Sequence, residues 1–480
     1  MAACTGEDVP IGNRLFSAGP VPGGGGAGAA GSAAGEAQSG TEGGGAPSES
    51  AGGGAATPRG GGGDATAGGS APADGGAGGT TDPPRRGCEG PLTFQDPAVE
   101  RQVRAALSAP SGAISPEDAA DLVELHLTDV SSVQGIECLK GLKLLEVGSS
   151  VDLGPLAELA ELEHAEVVAR SQQVLDTVVA LRNVYTLRLT VEFGLRLDPL
   201  EQLRAGDLRL LVVRGASSPD SGVLDLGLLG GRALGALSVT QSGYEPRAIR
   251  IDDLSPVSAS GASLVSLEIA DISLPDLSPL GALTRLNFLH LINVGNPDLS
   301  FLLALGADDF DFETPHTVQI VENQAVDLSP LRALPNLHYL DVSSNAISDL
   351  SVIAELNQSV LSELYARDNR ITDLGPLAAL RDVLWTADLS GNAIADASLL
   401  STFGGQLLAL DLSRNSISSL SAFATNSGFG QHWSGAPVSL VVRENPIDCA
   451  AQAENIAALR ERSVLVETDC SDAEDRAPAP

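Results

Sequence analysis

The sequence predicts an α/β solenoid in which short parallel strands stack into one extended sheet. The frame L-x-x-L-x-L-x-x-N, or a close variant, ends at Asn345, Asn369, Asn392 and Asn415, with spacings of 24, 23 and 23 residues. A unit this short contains one strand and one return segment, and it buries its leucines only against neighbouring units. Apolar residues alternate within the frame, and this alternation marks the strand.

Each frame continues into a short return segment, such as residues 327–331, which read D-L-S-P-L. Proline preceded by Asp or Ser favours a tight turn over a full helix, so we expect turns or 3-10 segments on the convex side. The frame asparagine carries both a donor and an acceptor, and we expect it to satisfy backbone groups at the bend. Period and frame together indicate a leucine-rich repeat horseshoe with a concave parallel sheet.

The frame extends toward the N-terminus in a more divergent form. We expect about fourteen repeats between residues 122 and 446, by the same period. The earlier strand frames begin near Leu122, Leu142, Leu162, Val184, Leu208, Leu234, Leu264, Leu286 and Pro315.

The repeats resemble those of bacterial internalin-like leucine-rich repeat proteins, whose short units carry the same asparagine and D-L-x-P-L segment. The similarity includes residues 92–97, L-T-F-Q-D-P, ahead of the first repeat. Such proteins have a small helical cap at this place, which the resemblance puts at residues 88–121. Asp96 followed by Pro97 also reads as the N-cap and first residue of a helix. The resemblance covers roughly residues 91–470 and indicates a fold more than a function.

Four of the five cysteines bracket the two ends of the repeats: Cys88 and Cys138, then Cys449 and Cys470. Bridged Cα atoms lie within about 7 Å of each other, and the two ends of a solenoid are much farther apart. The pairs Cys88–Cys138 and Cys449–Cys470 therefore fit best, the second closing a C-terminal cap at residues 447–470. They would imply an oxidising compartment. The alternative is four reduced, buried thiols.

The fifth cysteine, Cys4, follows two alanines, and this triplet resembles the end of a bacterial lipoprotein signal, whose cysteine becomes acylated. The apolar stretch that precedes such a cysteine is missing, so we interpret residues 1–17 as an anchor segment with a truncated signal. Read literally, the chain would stay in the cytoplasm and Cys4 would be a coincidence. Residues 18–87 are rich in Gly, Ala, Ser and Pro and predict a disordered linker. Residues 471–480 form a short tail.

Composition and motifs argue against several classes of function. The chain has 28 Lys and Arg against 62 Asp and Glu, for a formal net charge of −34. Such a charge repels nucleic acid and anionic membrane surfaces, which leaves lipidation as the route to a membrane. The six histidines lack zinc-ligand spacing, and the sequence has neither a nucleophile elbow nor a phosphate loop. We predict no catalytic residue, cofactor or metal, and no enzyme activity.

Four positions of each frame point from the concave strands into solvent. Aromatic residues make up 3% of the chain, yet Phe288, Tyr339 and Tyr365 occupy these positions. Tyr and Arg are favoured anchors of protein interfaces. We hypothesise a partner-binding patch that also contains polar neighbours, and the alternative is ordinary surface variation. Its members are Phe288, His290, Tyr339, Tyr365 and Arg367, with a rim of Asp341, Asp388 and Asp411. We interpret Trp385 and Trp433 as local packing.

The sequence thus predicts a monomeric, non-enzymatic binding module of a bacterial cell envelope, anchored to the outer membrane or extracellular. It would recognise a protein or surface glycan through its concave face. One alternative is a secreted or cytosolic effector that regulates an enzyme through the same repeats. Another is an envelope structural protein without a specific partner.

Overall fold

The computed structural model describes residues 88–470, with gaps at 182–183, 185, 193, 204–207, 217–223, 243–249, 306–315, 335, 357–359 and 404. Cys4, the expected linker and the expected tail lie outside the described residues. No helix within the described ranges is long and apolar enough to cross a membrane.

The described residues form one sheet of fifteen parallel strands that lie in chain order, β1 to β15. This arrangement confirms the predicted solenoid. The strands are β1 Glu124–Leu127, β2 Leu144–Val147, β3 His164–Ala169, β4 Thr186–Glu192, β5 Leu208–Ala216, β6 Ala236–Ser242, β7 Ser266–Ala270, β8 Phe288–Ile292, β9 His316–Val321, β10 Leu337–Asp341, β11 Glu363–Tyr365, β12 Thr386–Asp388, β13 Ala409–Asp411, β14 Ser439–Val441 and β15 Leu465–Glu467. The last strand, β15, comes from the C-terminal cap and was not expected from the repeat frame.

Strand register turns the repeated leucines into continuous apolar ladders. Leu340 pairs with Leu364, Leu364 with Ala387, and Ala387 with Leu410. Each of these four side chains is at most 1% exposed. One unit cannot bury such a residue alone, so the register explains why the units are stable only as a stack.

The return segments are short, as the Pro-containing turns predicted. In residues 327–331, the Asp327 Oδ1 atom accepts a hydrogen bond from the Ser329 amide at 2.8 Å, and a 3-10 turn starts there. The 3-10 turns are Ile136–Cys138, Gly154–Glu158, Asp176–Leu181, Asp198–Gln202, Gly227–Leu229, Ser278–Ala282, Ser329–Ala333, Ser351–Ala354, Gly375–Leu380 and Ser398–Thr402. The α-helices are α1 Pro97–Ala106, α2 Pro116–Ala120, α3 Gln172–Leu175, α4 Ser255–Ser258, α5 Leu302–Leu305, α6 Ser421–Thr425 and α7 Cys449–Glu461.

The frame asparagines form the expected ladder. Asn369 accepts a hydrogen bond from the Ile347 amide at 3.0 Å and donates to the Val342 carbonyl at 2.9 Å, both in the preceding repeat. Asn392 makes the same two bonds, to Ile371 and Ala366, both at 2.9 Å. Each asparagine thereby satisfies buried backbone groups where the chain leaves its strand.

Two helices, α1 and α2, precede the first strand. Asp96 caps α1 by accepting from the Ala98 amide at 2.7 Å, and its other oxygen accepts from the Ser131 amide at 2.5 Å. These bonds, the one from Ser131 first, lower the pKa of Asp96 to about 2. Val99 and Val103 are fully buried against the first repeat. The cap is therefore tied to the repeats by both polar and apolar contacts.

Both disulfides are present. Cys88 is bonded to Cys138 and Cys449 to Cys470, each pair with a Cα–Cα distance of 5.4 Å. The second bridge joins the start of α7 to the residues that follow β15. Each bridge thus lies at one end of the stack.

Candidate functional site

The sheet face carries two neighbouring rows of the residues singled out from the sequence. The pairing of β8 to β13 places one residue of each strand in register with the next. The first row is Phe288, Thr317, Tyr339, Glu363, Thr386 and Ala409. The second row is His290, Gln319, Asp341, Tyr365, Asp388 and Asp411. Adjacent members are about 4.8 Å apart along a row. Seven of the eight predicted residues lie in these rows, two in the first and five in the second, and Arg367 lies in neither.

Tyr339 and Tyr365 form a ring pair at the centre of the two rows. Their ring centroids are 5.2 Å apart, with the planes tilted by 31°. The Tyr339 hydroxyl accepts from Gln319 Nε2 at 3.2 Å, and the Tyr365 hydroxyl donates to Glu363 Oε2 at 3.2 Å. Each ring is held by the other ring and by a hydrogen bond at its hydroxyl, so it loses little conformational entropy when a partner binds.

Both tyrosines are neutral at physiological pH. Burial, reinforced by the charge of Asp341, raises the pKa of Tyr339 to about 12. Burial also raises the pKa of Tyr365, with the Glu363 carboxylate as the next cause. The pair therefore presents half-buried aromatic surface and neutral hydroxyls beside charged carboxylates.

Asp341, Asp388 and Asp411 are held in one orientation by a repeated D-x-S sequence. Each Oδ1 atom accepts from the amide of the serine two residues later, at 3.0, 3.0 and 2.8 Å respectively. All three side chains are partly exposed. Within the described residues, none of the three forms an ion pair, so their negative charge is available to a partner.

His290 is only 9% exposed. The expectation that it points into solvent is therefore wrong. Glu268 and Gln319 flank it in the register, and Phe288 and Ile292 lie beside it on the same strand face. Desolvation lowers its pKa to about 4, so the imidazole is neutral at physiological pH. His290 therefore lies in the second row but offers little surface of its own.

Arg367 lies just beyond β11, two residues after Tyr365, and its side chain is exposed. Its backbone carbonyl accepts from the Ser344 amide at 2.8 Å and from Asn369 Nδ2 at 3.1 Å. The backbone is thus fixed by the asparagine ladder while the guanidinium projects at the border of the second row.

The two tryptophans, which we interpreted as local packing, are both largely exposed. Trp385 is 46% exposed and Trp433 is 70% exposed. Trp385 follows the core residue Leu384 and precedes β12, so it lies at the edge where strands begin. Trp433 belongs to the segment between α6 and β14, outside the repeat frame. Trp385 occupies the second position of its frame, and Trp433 lies in an inserted segment. Both are sequence signals that could have predicted exposure.

A charged cluster on the first strands was also missed. His126 bonds Glu146 at 2.6 Å and Glu124 at 2.8 Å, and these bonds, Glu146 first, raise the pKa of the histidine. Arg188 lies 3.6 Å from Glu166 further along the same face. In the part of the chain that is described, no group of three or more His, Cys, Asp or Glu side chains could hold a metal ion.

Comparison with known proteins supports the fold. Residues 333–354 match the family model described as "Leucine Rich repeat". An internalin, inlF from Listeria monocytogenes str. 4b F2365, is 22% identical with a TM-score of 0.52, over 79% of this chain and 96% of that chain. No curated protein matches the chain.

Two further solved structures are similar with lower scores. The functional domain of InlJ from Listeria monocytogenes is 18% identical over 73% of this chain and 70% of that chain, with a TM-score of 0.41. A leucine-rich repeat protein from Leptospira interrogans is 17% identical over 74% and 97% of the two chains, with a TM-score of 0.46. The fold of the described residues is a leucine-rich repeat solenoid, similar to that of the internalin inlF.

Proposed function

We propose that this protein binds a partner protein through the two rows on the face of β8 to β13, without catalysing a reaction. The observation that carries the proposal is the Tyr339–Tyr365 ring pair, fixed at 5.2 Å beside a row of oriented carboxylates. Tyrosine supplies a large amphipathic contact at low entropic cost, which is why it is common at the centre of interfaces.

The chemistry of the rows favours a partner with basic side chains around an apolar centre. Phe288 and the tyrosine pair offer apolar surface, while Asp341, Asp388 and Asp411 supply negative charge at one side. The net charge of −34 adds a long-range field that accelerates encounter with a basic partner. Such a complex should weaken and form more slowly as salt is added.

We further propose display outside the cytoplasm, with acylation of Cys4 as the anchor and residues 18–87 as the tether. The two disulfides support an oxidising compartment. A Gly-rich chain of this length has a reach of roughly 50 Å by √n scaling. Metabolic labelling with an alkynyl palmitate tests the anchor: the label should be present on the natural chain and absent from Cys4→Ser. Equal labelling of both would refute it.

The binding proposal is tested by crosslinking on intact cells to identify the partner, followed by titration with purified variants. Truncation of a central anchor, as in Tyr365→Ala, should cost about 2 kcal/mol or more, about a 30-fold weaker Kd. Tyr365→Phe keeps the ring and should lose less. Val168→Ala, a half-buried position on the same face of β3, is the matched control and should bind normally. Unchanged affinity in a folded Tyr339→Ala, Tyr365→Ala double variant would refute the proposal.

A further inference from the structure

The only two tryptophans of the chain lie exposed at one edge of the sheet, outside the two rows. Large exposed apolar side chains that occur together mark interaction surfaces more often than chance exposure. Leu465, on the terminal strand β15, is also exposed, by 57%. The C-terminal end of the solenoid therefore carries aromatic and apolar surface that the fold itself does not use.

Backbone hydrogen bonds connect both tryptophans to the segment of chain that lies between their two repeats. Trp385 donates from its amide to the Ser362 carbonyl at 2.8 Å, and its carbonyl accepts from the Leu408 amide at 2.8 Å. Trp433 donates from its amide to the Gly405 carbonyl at 2.9 Å, three residues before Leu408. With strands about 4.8 Å apart, the two Cα atoms are on the order of 10–15 Å from each other. An extended peptide of four or five residues spans that distance.

The exposed position of Trp433 is built into the local structure. Its ring lies 5.4 Å from the ring of His432, centroid to centroid, with the planes tilted by 42°. His432 is itself buried, bonded through Nδ1 to the Ser434 hydroxyl at 2.6 Å, and it pairs with Gly405 as an isolated bridge. The indole therefore rests on a fixed base while most of its surface faces solvent.

Two carboxylates next to Trp385 in the strand register indicate what would bind. Trp385 directly precedes Thr386, whose neighbours in the first row include Glu363, and Asp388 follows two residues later. Glu363 and Asp388 form no ion pair within the described ranges. The guanidinium of Arg414 is 2.9 Å from Asp368, which neutralises it. An aromatic side chain near carboxylates that form no ion pair suits a cationic side chain that stacks and pairs at once.

We propose that Trp385 and Trp433 form a second binding surface, which takes an arginine-bearing peptide segment of a partner protein. The guanidinium stacks on an indole face and its edge pairs with a carboxylate of the sheet face. Arginine is preferred over lysine because its planar group does both. This surface shares Glu363 and Asp388 with the two rows but uses neither tyrosine ring, so the indoles provide a site whether or not the proposed function holds.

Intrinsic fluorescence tests the surface directly, because both emitting indoles belong to it. The full chain is titrated with hexa-arginine amide, with hexa-lysine amide and hexa-glutamate as comparisons. We expect a saturable change in tryptophan emission with hexa-arginine, a weaker one with hexa-lysine and none with hexa-glutamate. No change up to millimolar hexa-arginine overturns the proposal. So does a saturable change with cellohexaose but not with hexa-arginine, since a sugar platform would explain it.

Variants are compared by anisotropy of fluorescein-labelled hexa-arginine, which does not depend on tryptophan emission. Trp433→Ala and Trp385→Ala should each weaken binding by about two- to fivefold, the range for cation–π contacts at exposed sites. Trp433→Phe should retain part of the affinity. Val168→Ala, outside both surfaces, is the control and should bind the peptide as the natural chain does. Loss of the peptide in the tryptophan variants concerns this surface, whereas loss of the partner protein in the tyrosine variants concerns the proposed function, so the two tests fail independently. Unchanged binding in the Trp385→Ala, Trp433→Ala double variant overturns the proposal.

Discussion

Replacing Asn369 by Ala tests how the stack satisfies its backbone. The change removes the bond to the Ile347 amide at 3.0 Å and the bond to the Val342 carbonyl at 2.9 Å. The Val342 carbonyl keeps a second donor, Asn345 Nδ2 at 2.9 Å, whereas the amide of the fully buried Ile347 loses its partner and does not regain one without local opening. An unsatisfied buried group costs about 1–3 kcal/mol, so we expect a loss in that range.

Urea unfolding followed by circular dichroism measures the free energy, and hydrogen exchange at the Ile347 amide locates the loss. Protection of that amide should fall in Asn369→Ala while amides of β1 keep theirs, because repeats interact with near neighbours only. Thr372→Ala, exposed in the same repeat, is the control and should change stability by less than about 0.5 kcal/mol. If Asn369→Ala falls within that range and Ile347 stays protected, the ladder does not stabilise the stack as argued.

Three further predictions concern titration, a disulfide and a tight turn. The pKa of His290 is about 4 in the fold against 6.5 as its ordinary value, so the unfolded chain takes up the proton first and stability falls as pH drops through this window. Relative to His290→Gln, the natural chain should lose about 2 kcal/mol of unfolding free energy between pH 7.5 and pH 5; equal pH profiles would contradict the burial. Removing the Cys449–Cys470 bridge with two serines should cost about 3 kcal/mol by loop entropy and expose β15 amides to exchange, whereas unaltered exchange would show that the bridge is not needed there. Gly391 has a φ of +66°, and a Cβ there would collide with Asp368 Oδ1, so Gly391→Ala should lower the melting temperature; a melting temperature equal to that of the natural chain would contradict the strain.

Much of the fold is predictable from the sequence because the same local sequence pattern recurs in each repeat. The frame leucines, the bend asparagine and the D-L-S-P segment act within one unit or between adjacent units, so their pattern survives without long-range information. β15 was missed because it is a single strand that follows α7 and lacks the frame asparagine. Its pairing with β14 depends on the cap closing over the stack.

The candidate site was less predictable because exposure depends on neighbouring repeats. His290 has the frame position of an outward residue, yet it is buried, with Glu268 and Gln319 beside it in the register. Trp385 occupies a position where the period-2 alternation of the strand has not begun, so the pattern assigned it to neither face. The ring contact between Tyr339 and Tyr365 could have been predicted from the frame, because the two residues occupy neighbouring columns of adjacent repeats.

Site-specific photo-crosslinking tests most directly whether the sheet face is the recognition surface. A benzoyl-phenylalanine at Thr317, in the first row beside Tyr339, is compared with one at Arg332, exposed on the return segment of the same repeat. On intact cells we predict one dominant crosslinked protein from position 317, reduced by Tyr365→Ala, and none from position 332. Crosslinking of that protein from position 332 but not from 317 would contradict recognition through the sheet face.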